Sequence, residues 1–355
     1  IATAQATRLT EARVNANMGS PFSWFADNSS LLVRMIPANR PALIDSKKDL
    51  PKGPIVSTST GAKAQNRTYQ DLLKNPTDEV NFENIASSEL YKVSLDGKKE
   101  LFLPKALYAD ESFSPDGNYL LVTTVEKPFS YLVPFSRFPM NELVYDSKGK
   151  LVKMVNQIPL AEVMPKGFMA VMTGKRNMGW RADKAATLFY VEALDKGDPA
   201  EKVDFRDEMF VWNAPFDAPA TSLGKTPQRF AGVVWANDNY AIVQDEWYDT
   251  RSEKTYLLNP SNPSQGLKVI WDRNSQDIYS DPGSFETKKN EFGRRVIALE
   301  KDDAYLIGAG HTKDGQFPFI DEFNFKTLKT KRVYQSKYTD KIEDIYSFVD
   351  FDKGE

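Results

Sequence analysis

The sequence repeats one short unit, a tight turn followed by an apolar run of strand length, and this repeat limits the possible folds more than any other feature. In each copy an aromatic or serine residue precedes an Asp or Asn, and a run rich in Val, Ile, Leu, Phe or Tyr follows. The turns are Phe25-Ala26-Asp27, Phe113-Ser114-Pro115-Asp116, Trp180-Arg181-Ala182-Asp183 and Trp235-Ala236-Asn237-Asp238. Asp, Asn and Gly suit turns because they accept local hydrogen bonds or tolerate left-handed backbone. The pattern therefore predicts many short antiparallel strands.

A two-stranded hairpin is the second half of the repeat. We place these hairpins at 89–103, 142–155, 254–271 and 320–334, with a longer, Pro-rich version at 208–230. Two strands and a hairpin make a four-stranded antiparallel sheet, and a radial array of such sheets is a β-propeller. Five or six units are recognisable, and a further one begins near 342–350. We expect an all-β propeller of about six or seven blades, which need not be complete within this chain.

We expect a single propeller domain over 1–355, with a loop and helix segment inserted at 37–84. The best helical window is 66–74, where Tyr69, Leu72 and Leu73 recur at helical spacing. This minor helix should lie at the periphery of the β-structure. From its first and last residues we expect the sequence to be a processed or trimmed piece of a longer protein.

Composition excludes several classes of function. The 46 basic and 49 acidic residues leave a net charge of −3, so no overall positive field attracts nucleic acid. The absence of Cys excludes thiol chemistry and cysteine-based metal sites, and no apolar run reaches the roughly 18 residues of a membrane span. Neither glycine-rich phosphate-binding pattern occurs, so we expect no cofactor.

Catalytic patterns are equally scarce. The Gly-x-Ser-x-Gly elbow of serine hydrolases does not occur, and the one histidine, His311, lies in a glycine-rich loop where we expect no catalytic role. Asp245, with Glu246 and Asp249 close in sequence, leaves a glycosidase with paired carboxylates as an alternative.

Two further groups of charged residues have alternative interpretations. Asp272, Asp277 and Asp281 depart from the spacing of a calcium loop, so we expect a turn-rich linker and no metal. Arg137, Arg176 and Arg181 lie beside aromatic and turn residues. Arginine meets a carboxylate through two parallel hydrogen bonds, so these side chains are candidates for binding acidic groups, with surface ion pairs as the alternative.

Several longer segments resemble the amino-terminal part of glutamyl endopeptidases, which are serine peptidases of the prolyl oligopeptidase class. They are AQNRTYQDLLK (64–74), PFSYLVP (128–134), RFP (137–139), PLAE (159–162), NMGWRADK (177–184) and DIYSDPGS (277–284). The likeness extends from about residue 51 to the end of the chain.

The resemblance implies a propeller that precedes an α/β-hydrolase domain, with the Ser, Asp and His of the catalytic triad in that second domain. No triad residue is carried over to this chain, which is implied to be a non-catalytic gating and substrate-recognition domain. The implied partners are a peptide substrate and the C-terminal hydrolase domain, and an extracytoplasmic bacterial location follows by analogy. Arg137 and Arg176 are the residues we expect near an acidic substrate side chain. The alternative function is a stand-alone propeller that binds a peptide or protein partner as a scaffold.

Overall fold

A computed structural model of the chain describes residues 6–45, 48 and 69–354. Strands dominate these residues, and the described part contains one α-helix. The chain divides into two compact units, Ile1–Lys166 and Gly167–Glu355. The prediction of one domain over 1–355 stays a prediction, and residues 46, 47 and 49–68 of the proposed insertion at 37–84 lie outside the described residues.

The first unit contains two four-stranded antiparallel sheets in sequential order. The first sheet consists of β1 (Phe22–Trp24), β2 (Ser30–Met35), β3 (Ser88–Ser94) and β4 (Lys99–Ala106). The second consists of β5 (Tyr108–Phe113), β6 (Tyr119–Val125), β7 (Met140–Asp146) and β8 (Leu151–Ile158). A single 3₁₀ turn, Phe135–Arg137, lies in the connection between β6 and β7.

The second unit contains three four-stranded antiparallel sheets. Two are sequential: β9 (Lys175–Trp180), β10 (Thr187–Ala193), β11 (Asp207–Asn213) and β12 (Thr221–Thr226), then β13 (Arg229–Trp235), β14 (Ala241–Trp247), β15 (Ser252–Leu258) and β16 (Lys268–Asn274). The third is built from β17 (Ser284–Phe285), β20 (Asp303–Gly308), β23 (Phe319–Asn324) and β24 (Lys329–Gln335). Two short ribbons interrupt it, β18 (Thr287–Lys289) with β19 (Arg295–Ile297) and β21 (His311–Thr312) with β22 (Gly315–Gln316).

Within each unit the sheets pack face to face over apolar cores. In the first unit Phe25, Leu90 and Leu120 belong to one core drawn from both sheets. In the second unit one core joins the sheets of β10 and β14, and another joins those of β14 and β20. The second strand of a sheet contains a run of buried apolar residues, as in Leu188–Val191 of β10, because both of its faces are covered there. Four-stranded antiparallel sheets stacked in this way are the blades of a β-propeller, and the predicted all-β propeller fold is confirmed.

The repeated turns have the local structure that their residues predict. Asp27 Oδ1 accepts a hydrogen bond of 2.9 Å from Ser29 N, and Asp116 Oδ1 accepts one of 3.0 Å from Asn118 N. Asn237 Oδ1 accepts from the backbone of Asn239 at 2.8 Å. These side chains stabilise the turn before β2, β6 and β14 by satisfying backbone donors that lack a strand partner.

The helix lies later in the sequence than we predicted. Helix α1 spans Pro76–Ala86, whereas the described part of the 66–74 window, residues 69–74, is not helical and residues 66–68 lie outside the description. Asn75 caps the helix by accepting from Asp78 N at 2.9 Å, and Pro76 occupies the first turn, where its missing N–H costs nothing. These start signals outweigh the apolar spacing of the earlier window.

The strand that we expected to begin near 342–350 is not formed. Residues 342–350 contain no strand, and Ile342 and Val349 are 90% and 92% exposed. A strand needs a neighbour to take its backbone hydrogen bonds, and none pairs with this segment in the described residues. The described part of the chain therefore holds five four-stranded sheets. It contains no helix long and apolar enough to cross a membrane.

Candidate functional site

A buried cluster of charged side chains lies in the second unit and includes one of the predicted arginines. At its centre Arg229, at the start of β13, donates from Nη2 to Asp195 Oδ2 at 2.6 Å and from Nη1 to Asp207 Oδ1 at 2.9 Å. Arg229 Nε also donates to the backbone oxygen of Met169 at 3.0 Å. Arg229, Asp195 and Asp207 are all buried, so each charge depends on the others in place of water.

Two further arginines extend this cluster. Arg206 Nη1 donates to Asp195 Oδ2 at 2.9 Å, and its guanidinium lies 4.5 Å from the centre of the Trp247 ring. Arg176, on β9, forms an ion pair with Asp207. Three arginines and two aspartates leave the cluster with a net charge of +1. Burial raises the pKa of Asp195, but hydrogen bonds from Arg229 and Arg206 outweigh it and lower that pKa overall.

Arg176 is held by this cluster but retains unused donor capacity. Its side chain is 12% exposed, and Nη1 donates to Asn177 Oδ1 at 3.1 Å. Its buried Nε has no hydrogen-bond partner within the described residues. The position combines an excess positive charge with a free N–H, which are two properties that a carboxylate ligand requires.

Arg137 lies in the first unit, in the 3₁₀ turn Phe135–Arg137. Its backbone oxygen accepts from Ala161 N at 3.0 Å, and its guanidinium carbon lies 5.6 Å from the centre of the Tyr69 ring. Over residues 6–45, 48 and 69–354, no carboxylate forms an ion pair with it. Arg137 and Arg176 thus lie in different compact units.

Arg181 has a structural role instead. It donates from Nε and Nη2 to the two carboxylate oxygens of Asp183 at 3.0 and 2.6 Å, and it stacks 4.2 Å from the Trp235 ring centre. Because both the charge and the flat face of the guanidinium are occupied, Arg181 is fixed within the fold.

Asp245 is fully buried on β14, and among the described residues no hydrogen bond joins it to a second acid. Its oxygens accept from Gln228 N at 2.9 Å and from the Tyr256 hydroxyl at 3.0 Å. Burial raises its pKa to about 6, against the lowering effect of these hydrogen bonds. Glu246 is exposed, since successive residues of a strand point to opposite faces. Within the described residues Asp245 and Glu246 therefore do not face each other as the paired carboxylates of glycoside cleavage do.

The three acids considered for a calcium loop serve separate local roles. Asp272 pairs with Lys254 at 3.0 Å, Asp277 accepts from Tyr279 N at 3.1 Å, and Asp281 accepts from Gly283 N at 2.9 Å. No group of three or more potential metal ligands occurs among the described residues.

His311 lines a polar cavity of 320 Å³ in the second unit. Ser280 and Asp321 line the same cavity, but no hydrogen bond joins either of them to His311 among the described residues. Ser280 Oγ donates to the Asp277 backbone oxygen at 3.4 Å, and Asp321 pairs with Arg332. A serine triad needs its histidine to be hydrogen-bonded to both the serine and the acid. Within the described residues Ser280, His311 and Asp321 therefore do not form a nucleophile with its base.

Sequence reasoning missed the centre of the charged cluster. Asp195, Asp207 and Arg229 are separated by 12 and 22 residues and belong to no local motif. Their only sequence signal is their position at the ends of predicted strands, where acids and arginines are common for other reasons.

No family model matches the chain. It is 37% identical over 334 residues to a protein of Oryza sativa subsp. japonica named "Probable glutamyl endopeptidase, chloroplastic", covering 92% of this chain and 35% of that protein. A protein of the same name from Arabidopsis thaliana is 38% identical over 326 residues, covering 89% of this chain and 33% of its own length. The chain thus spans about a third of the length of these curated relatives.

Solved structures with lower similarity include two peptidases. Prolyl oligopeptidase B from Galerina marginata, bound to a 35mer substrate, is 10% identical with a TM-score of 0.44, over 90% of this chain and 34% of that one. The β-propeller domain of the Trilobed protease from Pyrococcus furiosus is 8% identical with a TM-score of 0.38, over 88% of this chain and 70% of that one.

Proposed function

About nine-tenths of this chain is homologous to about a third of the length of two plant proteins named as probable glutamyl endopeptidases. On that premise we propose that the chain is the propeller portion of a serine-type peptidase. The proposed role is non-catalytic: the propeller gates access to the active site and contributes to substrate recognition. The observation that carries this proposal is the 37% identity over 334 residues with a protein named for that activity. The proposed partners are a peptide substrate and an α/β-hydrolase domain that holds the Ser, Asp and His.

The chemistry of the chain supports a non-catalytic role. The sequence has no Gly-x-Ser-x-Gly elbow, and its one histidine, His311, makes no hydrogen bond to a serine or an acid in the described residues. Neighbouring sheets share well-packed apolar cores, and such close packing suits a domain that limits access to a site.

For substrate recognition we propose Arg137 and Arg176, each of which would meet an acidic side chain. Arg137 has no ion pair among the described residues, so its charge is available to a ligand. Arg176 belongs to a buried cluster of net charge +1 and has a free Nε among the described residues. Preorganised arginines bind carboxylates well because little side-chain entropy remains to be lost.

The test is cleavage by the full-length protein of two fluorogenic peptides that differ only in Glu or Gln at the scissile position. Peptidase activity with a preference for Glu is expected. Arg137→Ala and Arg176→Ala should each reduce the Glu over Gln preference by about tenfold, the effect of losing one charge-assisted hydrogen bond. Arg273→Ala is the matched control, because Arg273 is 13% exposed and ion-paired to Glu253 within the sheet of β13 to β16, whereas Arg176 belongs to the sheet of β9 to β12.

The outcomes separate the two candidate functions. If neither peptide is cleaved by the full-length protein, the peptidase role fails and a propeller that binds a partner as a scaffold becomes the better account. If cleavage occurs and both arginine variants keep the full preference for Glu, the peptidase role stands and the assignment of Arg137 and Arg176 is wrong.

A further inference from the structure

A buried ion pair between Arg34 and Glu111 joins the two sheets of the first unit. Arg34 lies on β2 and Glu111 on β5, and their side chains are 4% and 6% exposed. Arg34 Nε and Nη2 lie 2.7 and 2.6 Å from Glu111 Oε2. Both N–H groups converge on one oxygen of the carboxylate, so the contact lacks the two parallel hydrogen bonds of an ideal arginine–carboxylate pair.

The other oxygen, Glu111 Oε1, is buried and has no hydrogen-bond partner among the residues that the structure describes. In an ionised carboxylate this oxygen carries half of the negative charge, and here neither water nor a donor stabilises it. Burial raises the pKa of Glu111 to about 7, against the lowering effect of Arg34. The neutral and ionised forms of this side chain are therefore close in free energy near neutral pH.

The residues that lead into β1 pack against this pair. Arg34 Nη1 donates to the Met18 backbone oxygen at 2.9 Å, and Arg34 N donates to the Pro21 backbone oxygen at 2.8 Å. A Cβ at Gly19 would lie 3.8 Å from the Ala109 oxygen of β5 and 3.9 Å from Arg34 Nη1. This segment is thus in close contact with both the guanidinium and β5, and its displacement would give water access to the pair.

The other titratable groups around Glu111 do not supply a second cation. Asp110, its exposed neighbour on β5, raises the pKa of Glu111 through its negative charge. Tyr108 on the same strand stays protonated near neutral pH, because burial raises the pKa of its hydroxyl. The segment 18–23 contains no titratable residue. Two groups on other strands act on Tyr108, and these are Glu89 of β3 and Tyr145 of β7.

β1 is the shortest described strand of the first unit and pairs only with β2. Two of its three residues, Phe22 and Trp24, are 54% and 49% exposed, so little apolar burial holds the strand in place. Edge segments with few buried contacts open at a lower free energy than the rest of a fold. The segment 18–24 is therefore the part of this sheet that local opening releases first.

From this geometry we propose that the Arg34–Glu111 pair is a proton-controlled clasp on the segment 18–24. While Glu111 holds a proton, the segment stays closed over the pair. When Glu111 releases the proton to water, its unpartnered charge favours the open segment, because water then solvates the carboxylate. Opening also removes one wall of the 140 Å³ cavity that residues 19–23 form with β5. This clasp is independent of the peptidase role proposed above.

Opening of the segment 18–24 should increase as pH rises. In the open state the Glu111 carboxyl regains its ordinary pKa of 4.5, whereas in the closed state its pKa is about 7. The closed state therefore binds more protons, and each proton lost as pH rises favours the open state. The population of the open state should grow by about tenfold between pH 6 and pH 8, and should level off above the pKa of the closed state.

Amide hydrogen exchange of the full-length protein from pH 5 to pH 9 measures this population, once each rate is divided by the intrinsic exchange rate at the same pH. Protection of Arg34 N, which donates to the Pro21 oxygen, and of the amides of 22–24 should fall by about tenfold from pH 6 to pH 8. Asp146 N, which donates to the Lys150 oxygen at 2.9 Å in the second sheet, is the internal control. Its protection should stay within about twofold over the same range.

Two variants assign the effect to Glu111. Glu111→Gln removes the titrating group and keeps the size of the side chain, so protection of 22–24 should change by less than about twofold between pH 6 and pH 8. Asp110→Asn is the matched control on the neighbouring residue. Glu111 still titrates in this variant, so protection should still fall with pH. The fall should level off at a lower pH, because the negative charge that raises the pKa of Glu111 is gone.

Three results would overturn the clasp. They are constant protection of 22–24 in the wild type, a tenfold change that persists in Glu111→Gln, and an equal change at Asp146 N, which would mean that the whole unit loosens. If Glu111→Gln does not fold, because Arg34 then lacks its charge partner, Asp110→Asn decides the question. A pH profile that is identical in Asp110→Asn and the wild type would in that case show that the titrating group is not Glu111.

Discussion

Arg229 Nη2 and Asp195 Oδ2 lie 2.6 Å apart, and both side chains are buried. Arg229 begins β13, whereas Asp195 follows β10 in the neighbouring sheet, so this contact joins two blades of the second unit. Asp207 completes the link by accepting from Arg229 Nη1 at 2.9 Å and from Phe230 N at 2.6 Å. Polar contacts of this kind are directional, so they fix the alignment of two sheets whose apolar faces could otherwise slide.

Arg229→Met should destabilise the protein by about 3 to 5 kcal/mol, because two buried carboxylates lose the cation that replaces their hydration. The free energy of unfolding in urea measures this change. Arg332→Met is the control: Arg332 pairs with Asp321 but its side chain is 42% exposed, and the loss there should be below about 1 kcal/mol. Equal losses in the two variants would mean that burial does not set the strength of these pairs.

Asp245 should make stability depend on pH between about 4 and 6. Burial raises its pKa from 3.8 to about 6, so the folded state binds more protons than the unfolded state in this range and stability falls as pH rises. Asp245→Asn removes the titration while keeping an oxygen that accepts from Gln228. Relative to the wild type, the variant should gain up to about 3 kcal/mol in unfolding free energy between pH 4 and pH 7.5. A constant difference between the two proteins across this range would contradict the raised pKa.

Gly310 precedes β21 and has a φ of +64°, and a Cβ at this position would stand 1.9 Å from the Phe317 backbone oxygen. Gly310→Ala should therefore lower the unfolding free energy by about 2 kcal/mol or more. Gly293→Ala isolates the cost of the backbone angle, because Gly293 has a φ of +69° and open space around it, and should cost about 1 kcal/mol. Equal midpoints of unfolding in urea for the two variants would show that the hairpin at Gly310 moves to relieve the clash between the new Cβ and the Phe317 backbone oxygen.

Asn75→Ala should loosen the first turn of α1, because Asp78 N loses the side-chain oxygen that it donates to at 2.9 Å. Amide hydrogen exchange at 77–80 should quicken by an amount that corresponds to about 1 kcal/mol. Asn75→Ser keeps an accepting oxygen at the cap and should restore most of the protection. Faster exchange in both variants alike would show that the cap hydrogen bond is not what protects this turn.

The repeat of turns and strands could be predicted from the sequence because each copy is a local signal. Asp27 and Asp116 satisfy backbone donors within two residues of themselves, so residue type and spacing suffice to identify them. The fifth sheet was harder to predict, since one short ribbon separates β17 from β20, a second separates β20 from β23, and together they hide the periodicity. The helix was misplaced because the apolar spacing of Tyr69, Leu72 and Leu73 was weighed above the cap at Asn75 and the proline after it.

The sequence alone determined the antiparallel strands, their turns and the four-stranded blades, because most of these depend on contacts between strands that follow one another closely in the chain, β2 and β3 being an exception. It also determined which reactive side chains are scarce, because the chain has no cysteine and one histidine. Only the tertiary structure decided which charged residues meet: Arg229 with Asp195, and Arg34 with Glu111, are 34 and 77 residues apart. Such pairs form where stacked sheets bring strand ends together and exclude water, and no local pattern of residues records that distance.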